Sequence, residues 1–189
     1  MNLSLKNLSH VLAATVLSLG LVACNKNAPT AEKKAETETN VSSIEQIKKN
    51  GVVRIGVFSD KPPFGYLDAQ GKNQGFDVEI AKHVAKDLLG DENKVEFVLT
   101  EAANRVEYLK ANKVDIIFAN FTVTPERKEV VDFAKPYLKV ALGVVSPKSH
   151  PITNVAQLKD KTLLVNKGTT ADSFFTKTHP EIKLQKYEQ

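Results

Sequence analysis

The pattern of apolar positions in residues 44–189 predicts strands that alternate with helices. Short apolar runs at 52–58 and 95–99 are typical of buried strands. Between them, residues 76–88 carry an apolar side chain every four positions, as one face of a helix requires, and Ala81 and Ala85 widen this apolar stripe. Gly90 is expected to end that helix, because glycine readily adopts the left-handed backbone that closes helices.

A second helix is predicted over 102–109, and a third strand follows at 114–119. The third strand shows little alternation, as expected for a strand covered on both faces. This succession favours a mainly parallel sheet with helices on its faces. Ligands bind such sheets beyond the carboxyl ends of the strands. The loops after Phe58, Leu99 and Ala119 are therefore expected to meet in one place.

The loop after the third strand leads into a helix start that carries an unusual cation. Thr124 can cap the helix, and Pro125 suits its first position because a missing N–H costs nothing there. Glu126 is favourable in the first turn, whereas Arg127 works against the helix dipole. An anion bound between the arginine fork and the helix start would offset that cost. These residues alone predict that Arg127 binds a carboxylate.

Two prolines shape the connection after the first strand. Pro62 and Pro63 lack backbone donors, so residues 59–66 are expected to form a rigid polar and aromatic loop rather than a central strand. Residues 67–74, which include Gly71, are predicted to form a hairpin-like turn, interpreted as a surface turn.

The second half of the sequence repeats the strand and helix pattern. Strands are predicted at 138–144, 162–165 and 182–187, with a short helical turn at 154–158. A further helix is predicted to begin at the Gly-Thr-Thr turn of 168–170. Free N–H groups and hydroxyls at such a turn suit a carboxylate, although a plain helix cap would explain the same residues.

Composition and charge narrow the classes of function. The chain has 189 residues, of which 42% are hydrophobic and 25% charged, so it can bury a core. Its net charge of +4 comes from interspersed acidic and basic residues without a basic cluster interleaved with aromatics, which argues against a nucleic-acid partner. The single cysteine excludes an internal disulfide framework and a cysteine-rich metal site.

The start of the chain predicts export and lipid attachment. An apolar stretch at 11–22 follows a weakly basic start at Lys6, and it is too short for a comfortable transmembrane helix. Leu-x-Ala before Cys24 resembles the lipobox of bacterial lipoproteins, which implies removal of residues 1–23 and lipid on the cysteine sulfur. A non-lipidated signal peptide is the alternative. Residues 24–43 lack apolar periodicity and are predicted to form a solvated tether.

Four ordered motifs carry a resemblance to a known family. They are GFDVEIA at 75–81, KVD at 113–115, T-x-T-x-E-R at 122–127 and VDFA-x-PY at 131–137. Together they resemble the pattern of the family 3 bacterial solute-binding proteins, the polar amino-acid receptors of ABC importers. The resemblance extends from about residue 44 to the last residue.

Within the family, the chain is most similar to the cysteine-binding lipoproteins. The motifs are VF-x-DKPPFG at 57–65, EAANR at 101–105 and NKGTTAD at 166–172. The resemblance implies an α/β fold of the periplasmic-binding-protein type II, with two lobes and a mainly parallel sheet in each. Lobe 1 would span 44–139, and 140–189 would form an incomplete lobe 2. The acidic residue that takes the ligand ammonium in this family is expected beyond Gln189.

The resemblance also implies roles for individual residues. Arg127 matches the arginine that binds the ligand α-carboxylate, and its planar fork explains why lysine would be a poor substitute. Thr122 matches the hydroxyl residue that assists it. Asn120 matches the position whose backbone or side chain meets the α-amino group.

Further cleft residues follow from the same resemblance. Arg105 matches a position that reaches the ligand side chain in the acidic amino-acid receptors. Its alternative is a helix-surface cation paired with Glu101 or Glu107. The remaining expected lining residues are Asp60, Lys61 and Phe64 from the first lobe, and Thr169 and Thr170 from the opposing turn. Packing alone would also explain Phe64.

The function implied is the extracytoplasmic binding component of an amino-acid ABC importer. It would be a monomer on the periplasmic or cell-surface side, anchored by lipid on Cys24 and docking on membrane permease subunits. Cysteine is the expected ligand, with glutamate or aspartate as the alternative because two cations favour an acidic side chain. A dehydratase-like enzyme and a sensory or adhesive surface module are further alternatives. No positioned acid or base converges in the sequence, so no catalytic residue, metal or cofactor is expected.

Overall fold

The computed structural model of the protein describes residues 43–188. The predicted signal peptide, Cys24 and nearly all of the predicted tether lie outside these residues. The helices are α1 (Ser43–Asn50), α2 (Phe76–Leu89), α3 (Arg105–Lys110), α4 (Pro125–Lys128) and α5 (Thr170–Thr178), with a 3-10 turn at Val155–Leu158. The strands are β1 (Val53–Val57), β2 (Asp60–Lys61), β3 (Gly65–Leu67), β4 (Asn73–Gln74), β5 (Val95–Leu99), β6 (Ile116–Ile117), β7 (Thr162–Asn166) and β8 (Lys183–Tyr187).

A parallel sheet forms the centre of the first half, which comprises residues 43–139. Its strand order is β5–β1–β6, and Ile55 of β1 lies opposite both Phe97 of β5 and Ile116 of β6. The predicted parallel sheet is confirmed. β6 is shorter than the predicted strand, but the N–H groups of Asp115 and Phe118 also donate to β1, at 2.8 and 2.9 Å.

The core of the first half lies between β1 and α2. Its fully buried apolar side chains are Val53, Ile55, Val57, Val78, Ala81 and Ala85. The predicted apolar stripe of α2 is confirmed at Ala81 and Ala85, but Phe76 is 46% exposed. The small side chains of the two alanines let the helix backbone approach the sheet closely. Gly90 ends α2 in the left-handed conformation, as predicted.

A small antiparallel sheet of β2, β3 and β4 occupies the region predicted as a loop and a turn. Tyr66 lies opposite Asp60 on one side and Gln74 on the other. The turn between β3 and β4 is closed by Asp68, whose carboxylate accepts N–H bonds from Gln70 at 3.0 Å and Lys72 at 2.9 Å. Such side-chain-closed turns favour a hairpin, and the pairing of β3 with β4 confirms the predicted hairpin-like turn.

The second half, residues 140–188, has its own small core. Leu158, Phe175 and Ile182 form its buried cluster, and β7 pairs with β8 in parallel. The 3-10 turn begins with a reciprocal cap between Asn154 and Gln157. The predicted helical turn, both of these strands and the helix after the Gly-Thr-Thr turn are confirmed.

The strand predicted at 138–144 is wrong. This stretch belongs to no helix or strand. Its alternate apolar side chains are between 41 and 56% exposed; they are Leu138, Val140, Leu142 and Val144. A strand exists only through backbone hydrogen bonds to a neighbour, and none of the strands within residues 43–188 pairs with this stretch.

Asp77 ties α2 to the loop after β6. Its side chain is fully buried, and its two oxygens accept hydrogen bonds from the Asn120 N–H at 3.2 Å and the Tyr137 hydroxyl at 2.9 Å. Asn120 has a φ of 47°, which is uncommon for a residue other than glycine. The bond from Asp77 helps to hold this conformation, so a buried carboxylate fixes the loop from behind.

Burial sets the direction of the pKa shift at Asp77. Desolvation raises the pKa of its carboxyl, and the hydrogen bonds from Tyr137 and Asn120 act in the opposite direction without cancelling it. The folded chain therefore holds this proton more tightly than the unfolded chain does. The stability that this proton contributes is complete below the unfolded pKa and is lost as the pH rises through the raised pKa.

We expect Asp77→Asn to remove this pH dependence. As the pH rises from about 3 to about 7, the free energy of unfolding of the wild type should fall relative to that of the variant, because only the wild type ionises at this position. Urea denaturation of both proteins across this range measures the difference.

Asp68→Asn is the matched control with the opposite sign. Hydrogen bonds from the Lys72 N–H and the Gln74 side chain lower the pKa of Asp68, so its contribution to stability is lost as the pH falls. The difference in unfolding free energy between the wild type and Asp77→Asn should change with pH. A difference that stays constant with pH, or that changes in the same direction as for Asp68→Asn, would contradict the role of burial at Asp77.

Candidate functional site

Arg127 lies in the helix start that its sequence predicts. Pro125 occupies the first position of α4, and the Thr124 hydroxyl oxygen accepts the Arg127 N–H at 3.3 Å. The predicted cap is confirmed. Because this N–H is already satisfied and α4 has only four residues, the anion-binding capacity of the segment rests on the guanidinium group.

The guanidinium of Arg127 joins the two halves of the chain. Its Nη1 donates to the Thr122 carbonyl at 2.7 Å, and its Nη2 donates to the Gly168 carbonyl at 2.8 Å. Burial lowers the pKa of Arg127, and the nearby Glu126 opposes that shift. These two bonds use two of the five N–H groups of the guanidinium, which leaves donors for a carboxylate.

Arg105 is buried, with 3% of its surface exposed. Its guanidinium donates to four main-chain carbonyls, those of Ala102 at 3.0 Å, Ala119 at 3.0 Å, Asn120 at 3.2 Å and Gly168 at 2.9 Å. Burial lowers the pKa of Arg105 to about 9, and Arg127 acts in the same direction. The alternative of a surface cation paired with Glu101 or Glu107 is wrong, because the Arg105 side chain is buried and hydrogen-bonds to main-chain carbonyls of three loops.

Gly168 allows the second half to approach this close. It has a φ of 70°, and a Cβ at this position would lie 2.7 Å from the Ala102 oxygen and 2.8 Å from the Ala103 Cα. A side chain would therefore be both strained and in collision with the main chain. The sequence pattern marked this glycine only as part of a turn.

Thr169 and Thr170 begin α5. The Thr169 hydroxyl accepts the Asp172 N–H at 3.1 Å and donates to the Asn166 carbonyl at 2.7 Å. Its hydrogen bonds are those of a helix cap, the alternative that the sequence left open. Thr170 is partly buried at the first helical position.

Asp60 and Lys61 lie at a second edge of the site. Their side chains pair with each other, and the Lys61 ammonium lies 5.7 Å from the centre of the Phe58 ring. They border a cavity of about 10 Å³, together with Phe58, Glu101, Ala102, Asn166 and Glu188. That volume is at the lower limit for one water molecule, so the two halves are in direct contact. Phe64 does not line this cavity; its side chain is partly buried.

The structure thus brings Arg105, Asn120, Thr122 and Arg127 together opposite the turn that begins α5. Asn120 and Thr122 take part through their main chains, since both carbonyls accept bonds from the two arginines. An exposed ion pair of Glu126 with Lys177, at 2.8 Å, also joins the halves. It lowers the pKa of Glu126 to about 2, but exposed pairs of this kind add little stability.

Asp77 is the supporting residue that sequence reasoning missed. It belongs to the GFDVEIA motif, but only its position on the sheet-facing side of α2 could have indicated burial. Among residues 43–188, no group of three or more His, Cys, Asp or Glu side chains could hold a metal ion. No helix in the same range is long and apolar enough to cross a membrane.

Known proteins resemble the chain over most of its length. The model of the bacterial extracellular solute-binding proteins, family 3, matches residues 53–186. The glutamine-binding protein of Geobacillus stearothermophilus is 34% identical over 184 residues, which cover 94% of this chain and 70% of that protein. The glutamate/aspartate import solute-binding protein of Escherichia coli is 27% identical over 186 residues, or 96% of this chain and 59% of that protein.

Solved structures show the same relationship. The solute receptor for L-cysteine of Neisseria gonorrhoeae has 74% identity and a TM-score of 0.76, over 78% of this chain and 60% of that one. The cysteine-binding protein of Campylobacter jejuni has 68% identity and a TM-score of 0.76, over 78% of this chain and 59% of that one. An ancestral amino-acid-binding protein, a precursor of cyclohexadienyl dehydratase, has 34% identity and a TM-score of 0.72, over 78% and 66%.

The chain therefore spans about 60% of the length of the cysteine-binding proteins that it matches. These named relatives are binding proteins rather than enzymes. The expected type II periplasmic-binding-protein fold is confirmed by the parallel sheets and by these structural neighbours. The chain belongs to the bacterial extracellular solute-binding proteins, family 3.

Proposed function

We propose that the chain is the extracytoplasmic binding component of an amino-acid ABC importer and holds a small polar L-amino acid by its α-carboxylate. The observation that carries this proposal is the position of the Arg127 guanidinium, between the loop after β6 and the turn at Gly168. Relatives named for binding glutamine, glutamate and aspartate, and cysteine support an amino-acid ligand.

Binding would place the ligand carboxylate on N–H groups of Arg127 that Thr122 and Gly168 do not use. Charge-assisted bonds of this kind are about twice as strong as bonds to neutral carbonyls. Asn120 would meet the α-amino group, and Thr122 would assist Arg127 at the α-carboxylate. Thr169 and Thr170 would form the opposing side of the site. Opening and reclosing of the halves about their connection would admit and then enclose the ligand.

The remaining expected lining residues would support ligand binding. Arg105 would hold the loops and add positive potential beside the ligand, because its guanidinium is charged even with a pKa of about 9. Asp60 and Lys61 would border the ligand side chain, with Phe64 next to them in the same small sheet region.

Cysteine is the proposed ligand, because the structural neighbours with 74% and 68% identity are named for it. Glutamate or aspartate is the second candidate, favoured by the presence of two guanidinium groups at one site. Lipid on Cys24 would hold the receptor at the periplasmic or cell-surface face of the membrane, as a monomer that docks on permease subunits.

We expect Arg127→Ala to weaken amino-acid binding by about a hundredfold or more, because removal of one partner of a desolvated charge pair costs about 2–5 kcal/mol. Calorimetry of the wild type against the common amino acids identifies the ligand, which is then titrated into the variant. The affinity of Arg127→Lys should lie between those of the wild type and Arg127→Ala, because lysine keeps the charge but lacks the planar fork. Lys128→Ala, an exposed neighbour on α4, is the control; equal affinity of Arg127→Ala and Lys128→Ala would refute the clamp.

Gly168→Ala is expected to weaken binding by about tenfold, since the left-handed conformation alone costs a non-glycine residue about 1–2 kcal/mol. The added Cβ would also collide with the Ala102 main chain and hold the halves apart. Gly143→Ala is the matched control, because a Cβ there meets no atom within 4 Å. The same affinity for both variants, measured by calorimetry, would show that binding does not need this approach.

Cys24 should carry diacylglycerol in the mature protein. Two acyl chains give stable membrane attachment, whereas one gives only marginal attachment. Intact mass spectrometry of protein from a lipoprotein-processing bacterium should show an N-terminus at Cys24 with the lipid mass. Cys24→Ser, which lacks the sulfur, should stay unlipidated and leave the membrane fraction. A wild type without the lipid mass would count against the anchor.

A further inference from the structure

One aromatic ring contacts both arginines of the site. The centre of the Phe121 ring lies 4.5 Å from the Arg105 Cζ and 4.7 Å from the Arg127 Cζ. The same two guanidiniums donate to the same Gly168 carbonyl. Two like charges thus share one ring and one acceptor.

This arrangement needs a source of stabilisation. Neither Arg105 nor Arg127 takes part in an ion pair among the described residues, and Glu126 pairs with Lys177 instead. Their hydrogen-bond acceptors are neutral carbonyls. The negative face of an aromatic ring attracts cations, and more strongly where water is excluded.

A ring also leaves the arginines available to a ligand. An acidic side chain in its place would neutralise Arg127 and occupy the N–H groups that grip a carboxylate. Phe121 has no hydrogen-bond acceptor, so it stabilises both cations without using their donors. The neighbouring Phe133 ring lies at a centroid distance of 5.3 Å from it and has no cation contact with either arginine among the described residues.

We propose that Phe121 is a positioning residue whose ring holds the guanidiniums of Arg105 and Arg127 in place, so that the Arg127 fork is presented to a carboxylate. Phe121 lies between Asn120 and Thr122 in the chain. The loop that carries the proposed ligand contacts therefore also carries the ring that contacts both arginines. The effect on binding rests on the proposed function, whereas the arrangement of the ring and the two arginines does not.

The arrangement can be tested without a ligand. The chain has three arginines, Arg54, Arg105 and Arg127, so a nitrogen-15 spectrum of arginine side chains has three Nε–H signals. Phe121→Leu should shift the signals of Arg105 and Arg127, because the ring current that acts on them is lost. The signal of Arg54, which is paired with Asp115 at 2.6 Å, is the internal control and should stay in place.

The effect on binding is tested by calorimetry with the amino acid that the wild type binds best. Phe121→Leu should lower the affinity by about tenfold or more, consistent with a desolvated cation–π contact. Phe133→Leu makes the same change in the neighbouring ring and should stay within about threefold of the wild type. Phe121→Tyr, which keeps the ring, should restore both the affinity and the two arginine signals.

Unmoved signals of Arg105 and Arg127 in Phe121→Leu would overturn the proposal. Equal losses of affinity in Phe121→Leu and Phe133→Leu would also overturn it, because they would reduce the ring to general packing. If the wild type binds no amino acid, the proposed function has failed. In that case moved arginine signals still uphold the positioning of the guanidiniums, and unmoved ones reject it.

Discussion

Two guanidinium groups from the first half of the chain donate to one carbonyl oxygen in the second half, that of Gly168. The close approach of the halves depends on this contact, and the contact depends on a glycine whose missing side chain leaves room for the Ala102 main chain. All the hydrogen-bond acceptors of these two arginines in the described residues are neutral carbonyls, which do not cancel two positive charges. The site therefore keeps a net attraction for an anion, as the proposed carboxylate binding requires.

The loop that supplies the first jaw is held from both sides. The Asn120 N–H donates to the buried carboxylate of Asp77, and its carbonyl accepts a bond from Arg105. Asn120, which has a positive φ, is thus fixed between the carboxylate of Asp77 on one side and the guanidinium of Arg105 on the other. Pre-ordering of this kind reduces the entropy that binding must remove, so in the proposed function these residues would contribute to affinity without touching the ligand.

Local signals in the sequence predicted most elements of the fold and the helix start at Arg127. The Thr124 cap and the end of α2 at Gly90 depend on neighbouring residues only, so they could be read from the sequence. Features that depend on distant partners could not. Packing of α2 on the sheet leaves Phe76 exposed, and none of the described strands pairs with the stretch at 138–144. Arg105 is buried among main-chain carbonyls, which no side-chain pattern encodes.

The hydrogen bonds of Arg105 bear on the choice of ligand. A guanidinium has five N–H groups, and four hydrogen bonds already run from Arg105 to main-chain carbonyls. A side-chain carboxylate gripped by this fork would need two donors and would have to release one of the loops that Arg105 fastens. A small side chain needs no such release. Within the proposed function, this geometry supports a small side chain such as that of cysteine over the side chains of glutamate and aspartate, even though the second positive charge alone would favour the acids.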